Sequence, residues 1–94
     1  MVEDETYTIE GPEGNVSTVD LPDGLADVFA EEGEEPTDVL AEFVVQTFAQ
    51  QTHAAVHHSQ GEPPEELTRL NERMEELFEE RFGLSLEEAM GHSH

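Results

Sequence analysis

The chain has 94 residues, of which 24 are Asp or Glu and 3 are Lys or Arg, for a formal charge of -21; it has no cysteine, and its three basic residues are all arginine. That length supports one modest core and a single domain over residues 1–94. The missing cysteine excludes disulfides, thiolate metal sites and cysteine nucleophiles, and the missing lysine excludes a phosphate-binding P-loop and Schiff-base chemistry.

ETYTIE, residues 5–10, alternates so that Tyr7 and Ile9 share one face of a strand. GPEGN supplies a turn, and VSTVDL then places Ser17, Val19 and Leu21 together, which predicts a hairpin over residues 5–21. A two-stranded hairpin is marginal in water, so its apolar face is expected against helices. Residues 22–32 carry Leu25, Val28 and Phe29 at helical spacing and stop at Gly33.

Residues 37–59 contain neither Pro nor Gly, and Val39, Leu40, Phe43, Val44, Thr47, Phe48, Ala54 and Ala55 recur every three or four positions. The spacing predicts one long central helix. Its one continuous polar stripe, Glu42, Gln46, Gln50, His53 and His57, is expected to face water, with Ala41, Val45, Ala49 and Val56 apolar on its far side. Gln51 interrupts an otherwise apolar face and reads as a hydrogen-bonded core or interface residue.

Gly61, Pro63 and Pro64 precede a helix over residues 64–82 with Leu67, Leu70, Met74, Leu77 and Phe78 as its apolar face. The spacing of 67, 70, 74 and 77 resembles a heptad but would next place Arg81 in the seam, so a coiled coil is disfavoured. Ser85 and Glu88 form a capping-box pattern that opens a short helix over residues 86–90, expected to turn Leu86, Ala89 and Met90 inward. The tail, residues 91–94, is expected to fray. The fold class is therefore α+β, an N-terminal β-hairpin packed on a mainly helical body of three to four helices.

The stretch HAAVHH, residues 53–58, carries the most distinctive chemistry. His53 and His57 lie four residues apart on one helical face, so their imidazoles can approach one Zn, Ni or Cu ion, with His58, His92 or His94 as candidate further ligands. The zinc-protease pattern H-E-x-x-H is not met, because Ala54 stands where the glutamate belongs. The same histidines also fit a solvated helix end, with His58 capping carbonyls. The abundance of carboxylates makes any acid/base pair expected by chance, so no catalytic residue is singled out.

Arg69, Arg73 and Arg81 lie among glutamates and suit i,i+3 or i,i+4 pairs such as Glu65 with Arg69, leaving no basic footprint for nucleic acid. No apolar run reaches the roughly 18 residues of a membrane span, and MVEDETY has no signal-peptide pattern, so a cytoplasmic address is expected. Such charge density is self-repulsive in dilute buffer, but molar salt shortens the Debye length to roughly 3 Å. The composition thus points to a halophile.

ETYTIEGPEGN, FAQQTHAAVHHSQGEPPEEL, ERFGLSLEEA and a terminal GHSH, on this acidic background, resemble the small uncharacterised protein families of haloarchaea. The resemblance spans essentially the full length and rests on composition and layout. It implies a salt-adapted cytoplasmic protein and offers no catalytic residues to carry over. The leading expectation is a non-enzymatic protein acting through a protein partner or as a homo-oligomer, by way of the central helix or the 67–82 face. The alternative is divalent metal binding by the histidines, and a small His/Glu hydrolase or isomerase ranks third.

Overall fold

The computed structural model describes residues 2–58 and 60–91. Its elements are β1 (Asp4–Glu10), β2 (Val16–Pro22), α1 (Leu25–Phe29), α2 (Pro36–His57), α3 (Glu65–Phe82) and α4 (Leu86–Ala89). An antiparallel hairpin followed by helices makes the fold α+β, as the two periodicities predict. Two compact units divide the chain, Met1–Leu40 and Ala41–His94, and α2 crosses the boundary.

In the first unit the strands pair in the register Glu5 with Leu21, Tyr7 with Val19 and Ile9 with Ser17. Directly opposed residues share a face, so the two faces read from the alternation are the same face of one hairpin. The turn is closed by Gly11 N–H donating to Asn15 O at 2.8 Å, and Gly14 takes φ 91, where a side chain would be strained. On the shared face Glu5, Tyr7 and Leu21 are half-buried while Ile9 and Val19 remain exposed. The Glu5 carboxylate accepts from Tyr7 Oη at 2.9 Å and from the Gly24 N–H at 3.4 Å.

Helix α1 is shorter than its spacing predicts. Pro22 ends β2 opposite Asp4, and Gly24 at φ 89 is left-handed, so the helix cannot begin before Leu25. With barely more than one turn it buries one side chain, Ala26, and leaves Leu25, Val28 and Phe29, the apolar residues at helical spacing, exposed. Val39, early in α2, is also buried in this unit.

The second unit is centred on Ala49, Phe78 and Leu86, with Val45, Met74 and Phe82 packed around them. Ala49 has no exposed surface and Phe78 keeps 3%. The small methyl of one helix and the large rings of another fill the interior by complementary size. Phe82 stacks tilted on Phe78 with ring centroids 4.4 Å apart.

This packing meets the expectation for α2 only in part: Gln50 and His57 of the polar stripe are exposed and Ala49, on the apolar far side, is buried, but the rest of the helix departs from it. Val44 and Phe48 are 49% and 58% exposed, and Gln51 is exposed too, whereas Glu42, Gln46 and His53 of the polar stripe are half-buried. A helix apolar nearly all round gives weak directional information from hydrophobicity alone. Its orientation follows volume instead, with Ala49 facing the bulky residues of α3 and α4.

Helix α3 starts after Pro64 with Glu65 and Glu66 in its first turn, where carboxylates complement the helix dipole. It ends at Gly83, whose φ of 76 suits a left-handed cap and whose N–H donates to Glu79 O. The inner line runs Leu67, Asn71, Met74, Phe78 and Phe82, so Leu70, expected inside, is exposed and Asn71 is buried. Spacings of four and three, with a final four, keep this line on one face of a straight helix. Arg69 pairs with Glu65 at 3.8 Å as its spacing predicts, and Arg73 reaches Glu76 at 3.1 Å and Glu80 at 3.2 Å.

Before α4, Ser85 and Glu88 form both bonds of the capping box. Leu86 enters the core, but a single turn offers only one inward position, and Ala89 and Met90 are exposed rather than inward. The expected end of the central helix at Ser59 and most of the tail expected to fray lie outside the described residues. No helix among those described is long and apolar enough to cross a membrane.

Candidate functional site

The histidine pair sits in the last two turns of α2, a segment whose uninterrupted helical spacing carries both rings to one side. His53 and His57 have ring centroids 4.3 Å apart at an interplanar angle of 44°. His53 is largely covered, its side chain 17% exposed, and its Nδ1 lies 3.5 Å from Glu75 Oε2 of α3. His57 is exposed. One ligand atom from each of His53, His57 and Glu75 falls within 4.8 Å of the others.

Behind Glu75, one turn earlier on α3, Asn71 is 5% exposed and donates through Nδ2 to Glu75 Oε2 at 3.0 Å. Its Oδ1 is buried with no hydrogen-bond partner among the described residues. An unpaired buried acceptor costs about 1–3 kcal/mol, so Asn71 is an expensive occupant of an inner helical position. Its amide holds the carboxylate on the histidine side of α3 at that expense.

Of the residues predicted from sequence, His53 and His57 are brought together. His58 follows α2, is exposed, and donates its backbone N–H to Ala54 O at 2.8 Å; it is not among the three gathered residues. His92 and His94 lie outside the described residues. Glu75 was not singled out, because the helix is crowded with glutamates. The available signal was Asn71, a neutral polar residue one turn before Glu75 on the line of Leu67, Met74 and Phe78. Two surface depressions of this unit, one lined by Val45, Leu77, Glu80 and Arg81 and one by Glu62, Pro63, Glu65 and Thr68, include no histidine.

A second feature lies on the outward side of α2. Val44, Phe48, Gln51 and Ala55 are all exposed and are spaced by four, three and four residues. They fall in residues 43–61, a run without Asp, Glu, Lys or Arg in a chain of charge -21. This is an uncharged strip on a strongly anionic protein.

The model of a protein family described as a family of unknown function, DUF7545, matches residues 1–94. The chain belongs to that family. No curated protein and no solved structure matches it. The resemblance to an uncharacterised family therefore holds at the level of the family, and no activity comes with it.

Proposed function

We propose that this DUF7545 member is a salt-adapted cytoplasmic protein that works by self-association, the outward strip of α2 meeting the same strip of a second copy. The observation that carries the reading is the uncharged, partly apolar strip of Val44, Phe48, Gln51 and Ala55 on an otherwise acidic chain. Two copies of charge -21 repel wherever their acidic surfaces meet. The 43–61 segment is where they can approach without that penalty. Alternate spacings of four and three residues also match a two-helix seam, in which a polar residue such as Gln51 fixes register. Identical strips facing each other across a two-fold axis are complementary by construction.

From Val44 to Ala55 the strip runs roughly 17 Å at about 1.5 Å per residue. That is short for an interface that must approach about 1,200 Å² of buried surface to be stable. The association is therefore expected to be concentration-dependent. The chain contains no cysteine, which gives a clean test. In about molar KCl, chosen to screen bulk repulsion, Gln51→Cys should form an intermolecular disulfide much faster than a control such as Thr18→Cys on the hairpin. Equal rates at the two positions would contradict the proposal.

A further inference from the structure

We infer that His53, His57 and Glu75 form a binding site for a borderline divalent transition metal ion, Zn(II) or its neighbours Ni(II) and Cu(II), and that Asn71 is the residue positioning Glu75. The inference is independent of self-association, since its residues lie between α2 and α3 rather than on the outward strip.

The donor set is two imidazole nitrogens and one carboxylate oxygen, which suits these ions and not the oxygen-rich shells of calcium or magnesium. Ligand atoms on a tetrahedral zinc, with bonds of about 2.0–2.1 Å, stand roughly 3.4 Å apart. The three groups already lie within 4.8 Å of one another. Small side-chain rotations close the difference, and His57 and Glu75 have the freedom to make them: His57 is exposed, and the Glu75 side chain is 41% exposed. His53 is held by its surroundings and supplies the fixed point.

Histidine and glutamate can also meet as a simple ion pair. At 3.5 Å, however, the His53–Glu75 approach is at the outer limit of a hydrogen bond. Asn71 is the independent observation. A buried asparagine with one unpaired oxygen does nothing for a hydrophobic core. Its other amide atom binds the carboxylate that faces the histidines. Residues that orient a metal-binding carboxylate in this way are a regular part of metal sites.

Three protein ligands leave a coordination position for water or another small ligand on a four-coordinate ion. The positive ion would also draw Glu75 and the two rings together, with both histidines bound in their neutral form.

The test is an amide NMR titration of the metal-free full chain with ZnCl₂ in about molar KCl, which screens diffuse carboxylate association. Saturable shifts at His53, His57, Asn71 and Glu75 near one equivalent are expected. His57→Ala, at an exposed position that does not build the core, and Glu75→Gln should remove the saturable phase. Asn71→Leu should weaken binding by about 10–100-fold while both histidines and Glu75 remain. His92→Ala with His94→Ala should leave the saturation intact. Unsaturated shifts spread over the acidic surface, or saturation unchanged in Glu75→Gln, would overturn the assignment. If Glu75→Gln loses its dispersed metal-free spectrum, the decision passes to His57→Ala, where unchanged saturation overturns it.

Discussion

Replacing Asn71 by Leu separates what the fold needs from what the site needs. The two side chains branch at the same carbon, so Leu occupies nearly the same shape in a position that is 5% exposed. The substitution removes the unpaired Oδ1, a gain of about 1–3 kcal/mol. It buries two methyl groups at about 0.8 kcal/mol each and adds a few tenths of a kcal/mol in helix propensity. Against this stands the loss of the hydrogen bond to Glu75, about 1.5–3 kcal/mol for a charged acceptor. Part of that loss is recovered because Glu75, partly exposed, can turn to water. The balance is a stabilisation of about 1–2 kcal/mol, equivalent to roughly 4–15 °C in the melting temperature of a domain this small. Thermal melts followed by circular dichroism in metal-free molar KCl measure it. A destabilisation of more than about 1 kcal/mol would refute the reasoning, because Asn71 would then be holding the fold together through contacts that Leu cannot replace.

Phe78→Ala should cost about 3–5 kcal/mol, as deletion of a buried aromatic ring does, and should show as loss of cooperative melting, since Phe78 packs against Ala49 and Leu86. Tyr7 is the single tyrosine in a chain without tryptophan, so its ionisation can be followed by absorbance at 295 nm. Its hydrogen bond to Glu5, reinforced by partial burial and the charges of Glu5, Asp27 and Asp23, raises its pKa above the ordinary 10.0. The stabilisation is present below pH 10.0 and is lost as pH rises through the raised value; Glu5→Gln should bring the midpoint back toward 10.0. Glu88 behaves oppositely: the bonds from the backbone and side chain of Ser85 lower its pKa below 4.5, so its contribution is present above that pH and is lost as pH falls through the lowered value. Ser85→Ala should weaken the cap by about 0.5–2 kcal/mol and raise the Glu88 pKa toward its ordinary value, read from side-chain carboxyl shifts in an acid titration.

The hairpin was legible because alternation reports a face directly, and Tyr7 and Val19, assigned to one face on each strand, are directly opposed. The long helix was legible for a similar reason: residues 37–58 hold no breaker, and their apolar residues recur at helical spacing. Its orientation was legible only in part: Gln50 and His57 of the polar stripe are exposed and Ala49 on its far side is buried, while Glu42, Gln46 and His53 are half-buried. Val44 and Phe48 outweigh Ala49 on any hydrophobicity scale, yet Ala49 is the residue inside, because a small side chain is what fits against Phe78. Short helices hid their buried residues for want of turns: Ala26, not Leu25, Val28 or Phe29 at helical spacing, is the buried residue of α1, and Leu86 stands alone in α4 where Ala89 and Met90 were also expected inward. The histidine pair could be read from its spacing of four. Its third companion was marked in the sequence only indirectly, by Asn71 one turn before it on the apolar line, and the approach of α3 was needed to bring Glu75 to the histidines.

The central claim is that the outward strip of α2 joins two copies. Sedimentation equilibrium in about molar KCl, from low to high micromolar protein, tests it most directly when the wild-type chain is run beside Phe48→Glu. Phe48 is 58% exposed, so the charge leaves the core untouched while interrupting the strip. The account predicts a reversible monomer–dimer equilibrium for the wild type and a monomer at every concentration for Phe48→Glu. A wild-type chain that stays monomeric throughout, or a dimer unchanged in Phe48→Glu, would contradict it.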